Sequence, residues 1–412
     1  HETMDDLQMI CVENALGILN NSILLFGKRY EIKRSDWLID LVTGKKWDSE
    51  VFFTDAKVEV EGHSDVKFVM ELNKMGFLVS LAQAYYFTGE EIYLYKINEY
   101  IDGWIRTVKY ERSVVNKSML DIAFRCINLI HVTLLANNSD YFKKNILHKI
   151  YNIVSASESQ IRKFSTPRWC KYSNGANHTI GEMVGLVVTQ LWMESLSNDV
   201  HFDSWYESEF FYLNRSLDSI ITDKGVYLEQ SANYSRLVAE FLVLLDIFIK
   251  TIGTPITKRY YKDIYLRRIL AYTKCLSHND ILPNFGDNDG ATVLCLRSGK
   301  INSVSYLNKY DKDFVNRDES VNCIICKTSG QFVWSSSAKP KMRVFIRSGR
   351  HSYHPEGNGS HAHNDILSLL VSIEGNELFI DRGTYFYNSG SEIMNADRST
   401  SEHNTVSINN LE

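Results

Sequence analysis

At 412 residues, with 44 % hydrophobic and 23 % charged side chains, the chain is composed like a globular protein too long for one ordinary core, so two or three domains are expected. A net charge of −5 and a pI near 6.2 argue against a polyanion-coating surface, so no nucleic acid partner is expected and any acidic ligand must meet local basic groups. The apolar stretch from Leu237 to Gly253 is interrupted by Glu240, Asp246 and Lys250, each costly in lipid, and no transmembrane helix is predicted.

The opening His1-Glu2-Thr3-Met4 reads as a remnant of cloning with no signal segment behind it, and the closing Leu411-Glu412 reads the same way, so a shortened protein is expected. Only five prolines occur, none before Pro167, and the first two-thirds carries apolar residues at helical spacing. Helices are predicted over 65–87, 90–108, 118–136, 141–162, 178–195, 204–222, 234–252 and 257–277, with turns such as Thr88-Gly89 returning each against its neighbour. Repeated hairpins of this kind suit an α/α toroid or a helical solenoid. Past Asn284-Phe285-Gly286-Asp287 the pattern changes to short β-rich runs at 323–327, 331–335, 342–348, 366–374 and 377–381, punctuated by glycines. The expected division is a helical domain over 1–280 and an antiparallel sheet domain over 281–412, with too few strands to close a sandwich. The seven cysteines form no repeated spacing, and Cys323-x-x-Cys326 lacks a second pair, so a structural role is expected for them.

Several residues could carry chemistry. His361-Ala362-His363 precedes a strand, where residues two apart point to one side, Asp381 ends the next strand, and His403 enters a third apolar run. Two imidazoles and a carboxylate suit Zn²⁺; equally, these are surface histidines near glycine loops and a turn-capping aspartate. Asn177-His178 stands at the head of a helix, where unpaired N–H groups favour an anion, or where Asn177 simply caps. Glu182, one turn on, either orients His178 or improves the helix start. Tyr234 enters a helix after a polar loop, as a proton-transfer or a packing tyrosine. Asp287 and Asp289 lie in a glycine-bounded loop and could orient bases, bind a cation, act on a glycosidic bond or form a plain turn. Arg125, Arg236, Arg343, Arg347 and Arg350 could hold substrate carboxylates or sulfates, and Tyr385 and Tyr387 could line a cleft.

In this order and with these gaps, the motifs resemble the heparinase II/III superfamily, which includes heparin, heparan sulfate and some alginate lyases. The resemblance rests on residues 35–40, 65–73, Asn177-His178 and 229–234 in the helical half, and on His361-Ala362-His363-Asn364-Asp365, 381–385 and His403-Asn404-Thr405-Val406 in the sheet half. It implies an incomplete α/α toroid followed by an antiparallel β-sandwich, here incomplete, in a bacterial enzyme that cleaves a uronic-acid-containing polysaccharide by β-elimination, in capsule or exopolysaccharide metabolism. By motif match, Asn177, His178, Tyr234 and His361 would be catalytic, and His363, Asp381 and His403 would hold a structural zinc. Glu182, Glu229 and Arg347 are the candidate substrate-binding residues. Ala176 departs from the asparagine common before Asn177. A periplasmic or secreted location is implied, although the unpaired cysteines suit the cytoplasm. Two other readings stand: an α/α-toroid glycoside hydrolase using Asp287 and Glu182, and a glycan-binding or assembly protein that has lost catalysis.

Overall fold

The computed structural model describes residues 4–169, 176–197, 201–293, 303–311, 323–326, 330–336, 338–349, 361–384 and 392–408. Helices form where the apolar residues recur at helical spacing: α1 (Met4–Leu19), α2 (Lys67–Asn73), α3 (Gly76–Thr88), α4 (Ile92–Thr107), α5 (Met119–Ala136), α6 (Asp140–Asn145) and α7 (Leu147–Phe164). They continue as α8 (Thr166–Trp169), α9 (Ala176–Leu196), α10 (Asp203–Ile220), α11 (Ala232–Ile252), α12 (Pro255–Tyr260), α13 (Ile264–Leu276), α14 (Ser305–Asp311) and α15 (Glu392–Asp397). A hairpin of β1 (Ser22–Leu25) and β2 (Lys28–Glu31) turns at Phe26-Gly27, both left-handed. Local chemistry sets several ends. The Ser118 and Ser139 side chains accept from the backbone N–H groups of Asp121 and Phe142, starting α5 and α6, and Gly89 ends α3 in the left-handed region.

Three predicted helices are each two. The run over 65–87 breaks because Met75 is left-handed (φ 61°), and the freed carbonyls of Asn73 and Lys74 accept from Arg125 and Asn128. The run over 141–162 breaks at Ile146, and the run over 257–277 breaks between Tyr260 and Ile264. Sequence patterning missed α1, the β1–β2 hairpin, α8, α14 and α15.

The chain forms two compact units, each assembled from several stretches. The first comprises His1–Ser173, Gly181–Glu209 and Thr251–Ile256. In it α3 packs against α1 and α5, and α5 against α7. Gly185 lets α9 approach α5: a Cβ there would lie 2.6 Å from that of Ala123. Helix α5 is long and apolar enough to cross a bilayer, but most of it is buried within this unit, around an Arg125 bonded to Asn73, Val115 and Asn116.

The second unit comprises Asn174–Ile180, Phe210–Lys250 and Thr257–Glu412. Its core is α11, buried along nearly its whole length, together with a five-stranded antiparallel meander. The strands are β3 (Cys323–Cys326), β4 (Gln331–Ser335), β5 (Met342–Arg347), β6 (Leu369–Ile373) and β7 (Asn376–Phe379), paired in chain order. The β6–β7 turn is Glu374-Gly375, both at positive φ, which matches strand twist. β6 is shorter than predicted because Leu367 is left-handed and the Ser368 N–H turns back to Asp365. The apolar run after His403 forms no strand among the described residues. The side chains of Cys323 and Cys326 lie outside the described residues.

Candidate active site

A buried turn brings three segments of the second unit together. Gly286 (φ +64°) is where they meet: a Cβ there would stand 2.3 Å from the Gln230 carbonyl oxygen and 2.8 Å from that of His361. Around it, the Ala232 N–H donates to Phe285, the Ser231 hydroxyl to the Asp287 carbonyl and the Asp287 N–H to the His361 carbonyl. Phe285 stacks on Phe345 of β5 at 4.5 Å, and Gln331 of β4 ties Gln230 to Tyr272. The loop carrying Asp287 is thereby fixed beneath the His361-Ala362-His363 segment.

Asp287 is the hub. One carboxylate oxygen lies 3.0 Å from His361 Nδ1 and the other 3.0 Å from His363 Nε2, with Thr384 and Arg398 completing the shell at 2.9 and 2.6 Å. Burial would push this carboxyl up, but the hydrogen bonds from His361 and His363 and the charge of Arg398 outweigh it and hold it well below the usual carboxylate range. Sequence reasoning found Asp287 as one of two loop acids able to orient bases; Thr384 lay in the 381–385 motif without a role of its own, and no pattern marked Arg398.

On the other side of His361, its Nε2 lies 3.0 Å from Asn177 Nδ2, and the Tyr234 ring stacks on the imidazole at 4.0 Å. Asn177 is buried in the first turn of α9, where its amide also donates to Glu229 at 3.0 Å. Glu229 accepts from Tyr227 as well, so it orients Asn177 from within the protein. With Asn177 as donor, His361 accepts at Nε2 and carries its proton at Nδ1, facing Asp287. The structure thus joins Asn177, Glu229, Tyr234 and His361. His178 is exposed on the same turn of α9.

Two candidates have other surroundings. Glu182 belongs to the first unit, where its two oxygens accept from the N–H and hydroxyl of Thr166 and start α8. Arg347 is buried; it donates to the His363 carbonyl at 3.1 Å and pairs with Asp365, bracing the histidine segment. Residues 170–175, 350, 385 and 387 lie outside the described residues.

His363, Asp381 and His403 are buried and offer three ligand atoms within 4.8 Å of one another. His363 Nδ1 and His403 Nε2 have no hydrogen-bond partner, an expensive state for buried nitrogens and the one expected of metal ligands. Asp381 accepts from the Gly383 N–H and lies 2.7 Å from His403 Nδ1, while Asp287 holds the far side of His363, the usual carboxylate behind a ligating imidazole. The three residues fit a metal ion.

A helix-rich region leading into an antiparallel sheet, with these histidines in segments outside its strands, defines a recognisable architecture. The fold matches a crystal structure of heparinase III over the whole chain at a TM-score of 0.70 and 16 % identity, covering 64 % of that protein. A second heparinase III gene product, with methylated lysines, matches at 0.60 and 16 % identity over the whole chain and 63 % of its own. Heparan sulfate lyase HepC from Pedobacter heparinus matches at 0.55 and 16 % identity over 97 % of this chain and 60 % of its own. The chain thus spans somewhat under two-thirds of these proteins, and at such identity the likeness concerns the fold. No curated protein sequence matches. The heparinase II/III N-terminus pattern matches residues 36–313 and the heparinase II/III-like C-terminal pattern residues 326–412, and the chain belongs to the heparinase II/III family.

Proposed function

We propose that the protein is a polysaccharide lyase that cleaves a uronic-acid-containing acidic polysaccharide, of bacterial capsule or exopolysaccharide type, by β-elimination. The observation that carries this reading is the convergence of an amide, an imidazole and a phenol: Asn177 3.0 Å from His361, with Tyr234 stacked on the same ring. The C5 proton of a uronate is acidic only if its carboxylate is neutralised as negative charge develops. Asn177 donates one N–H to Glu229 and turns the other toward His361, so a substrate carboxylate entering between them meets that amide N–H and, with a proton on Nε2, the imidazole. Tyr234 then moves the protons: the C5–H pair becomes the C4–C5 double bond, the C4–O4 bond breaks, and O4 is protonated. His178, on the same turn as Asn177, serves as a further donor to the enolate or, for the opposite stereochemistry, as base.

His363, Asp381 and His403 would hold zinc, which when bound supplies a fixed charge that pins the sheet segments beside the cluster. A hydrolase needs two carboxylates ready to act, whereas the oxygens of Asp287 and Glu182 are already taken by protein donors. The test is a panel of heparan-type, alginate, hyaluronan and capsular polysaccharides followed in the ultraviolet. New absorbance from an unsaturated uronate is expected; new reducing ends without it would mean hydrolysis, and neither product would mean a binding protein.

A further inference from the structure

The two arginines on β5 differ in their partners. Arg343, Phe345 and Arg347 alternate along the strand and so share one face of the sheet. Nη1 of Arg347 is held by the His363 carbonyl and Asp365, which leaves only its Nε unpartnered, whereas both Nε and Nη1 of Arg343 are buried and donate to nothing. Burial lowers the pKa of this guanidinium. Buried guanidinium N–H groups without acceptors are costly, and a ligand that supplies the missing acceptors removes the cost.

The space for such a ligand adjoins it. A cavity of about 360 Å³ is lined by Arg343 with His278, Asn284 and Asn376 as polar neighbours and Phe345 and Leu370 as apolar wall. That volume lies at the small end of ligand pockets, roughly 300–1,000 Å³. The two carboxylates on the wall do not neutralise Arg343: Glu377 lies on the exposed β7, and Asp381 is engaged by His403 and Gly383. We infer that this cavity is an anion-binding subsite in which Arg343 takes the carboxylate or sulfate of an acidic sugar unit. The amides of Asn284 and Asn376 offer further donors, and the apolar wall suits a sugar-ring face. The inference adds a recognition site to the lyase reading, yet it is measured by binding of a sugar that cannot be cleaved and so fails or stands apart from that reading.

The experiment measures binding of glucuronate, inorganic sulfate and glucose to the whole chain by calorimetry, in the wild type, in Arg343→Gln, Arg343→Lys and His361→Ala, and in each Arg343 change combined with His361→Ala. Glucuronate is expected to bind His361→Ala, in which the proposed cleavage site is disabled, and in that background Arg343→Lys should weaken the binding and Arg343→Gln weaken it at least tenfold, with glucose not bound. Glucuronate binding at least tenfold tighter than sulfate supports a saccharide site, whereas equal affinities overturn the saccharide assignment. Binding unchanged in Arg343→Gln, or lost in His361→Ala, overturns the subsite. Without ligand, Arg343→Gln should melt no lower than the wild type; a midpoint several degrees lower, with Arg343→Lys unaffected, would make Arg343 a structural residue and overturn the inference as well.

Discussion

Arg125 in the first unit and Asp287 in the second are both buried charges, and they are satisfied in opposite ways. The Arg125 guanidinium ends on fixed acceptors, the carbonyls of Asn73 and Val115 and the side chain of Asn116, all within 3.0 Å, and lies over the Trp104 ring. Asp287 is surrounded by groups that titrate or ligate: two histidines and an arginine. The first arrangement closes a break between helices and gives each guanidinium nitrogen an acceptor. The second leaves the far nitrogens of its histidines for other work, Nε2 of His361 toward Asn177 and Nδ1 of His363 toward the group with Asp381 and His403 that fits a metal. A buried charge that consumes all its partners is architecture, whereas one that orients partners with spare valence marks a site.

The sharpest way to break this contrast is in stability. Arg125→Met strands two buried carbonyls and an amide oxygen, at about 1–3 kcal/mol for each buried group left unpaired, so a loss of several kcal/mol in chemical denaturation is expected. A loss below 1 kcal/mol would contradict the architectural role. Asp287→Asn should act on the metal instead. Wild-type protein is expected to carry one zinc per chain, and loss of the carboxylate behind His363 should weaken it by about 10- to 100-fold in competition with a chelator. Unchanged zinc retention would remove Asp287 from the metal's support.

A smaller effect separates the histidines. Nδ1 of His131, on α5, is buried without a partner, and burial lowers the pKa of this imidazole to about 4. Between the ordinary value near 6.5 and about 4 the unfolded chain takes up a proton that the folded chain refuses, so stability is full above pH 6.5 and falls with acid. Part of the residue still reaches solvent, so the slope from this group is at most about 1.4 kcal/mol per pH unit. His131→Leu should flatten the acid limb of a stability profile by up to that slope, and an unchanged limb would rule the group out.

The same contrast explains what the sequence made legible. Helix positions followed from spacing, because packing a helix face is a local demand, and seven of the ten residues proposed for the site lie in the buried second-unit cluster or its metal group: Asn177, Glu229, Tyr234, His361, His363, Asp381 and His403. The breaks at Met75 and Ile146 were hidden, since the partners that satisfy Met75's neighbours, Arg125 and Asn128, lie some fifty residues away. Glu182 and Arg347 carried the residue types of ligand-binding groups but hold Thr166 and the His363 segment, which only tertiary structure reveals. Arg398 was invisible for the same reason: its role is defined by Asp287, 111 residues earlier.

The proposed lyase chemistry depends most directly on Tyr234, buried and stacked on His361, as the group that transfers the proton in elimination. Tyr234→Phe keeps the stacked ring and removes the hydroxyl. On a polysaccharide that the wild type converts to the ultraviolet-absorbing unsaturated product, the variant should turn over slower by roughly two orders of magnitude or more, the usual scale for a lost general acid or base, with its melting midpoint nearly unchanged. Near-normal turnover by a variant of native stability would contradict the assignment.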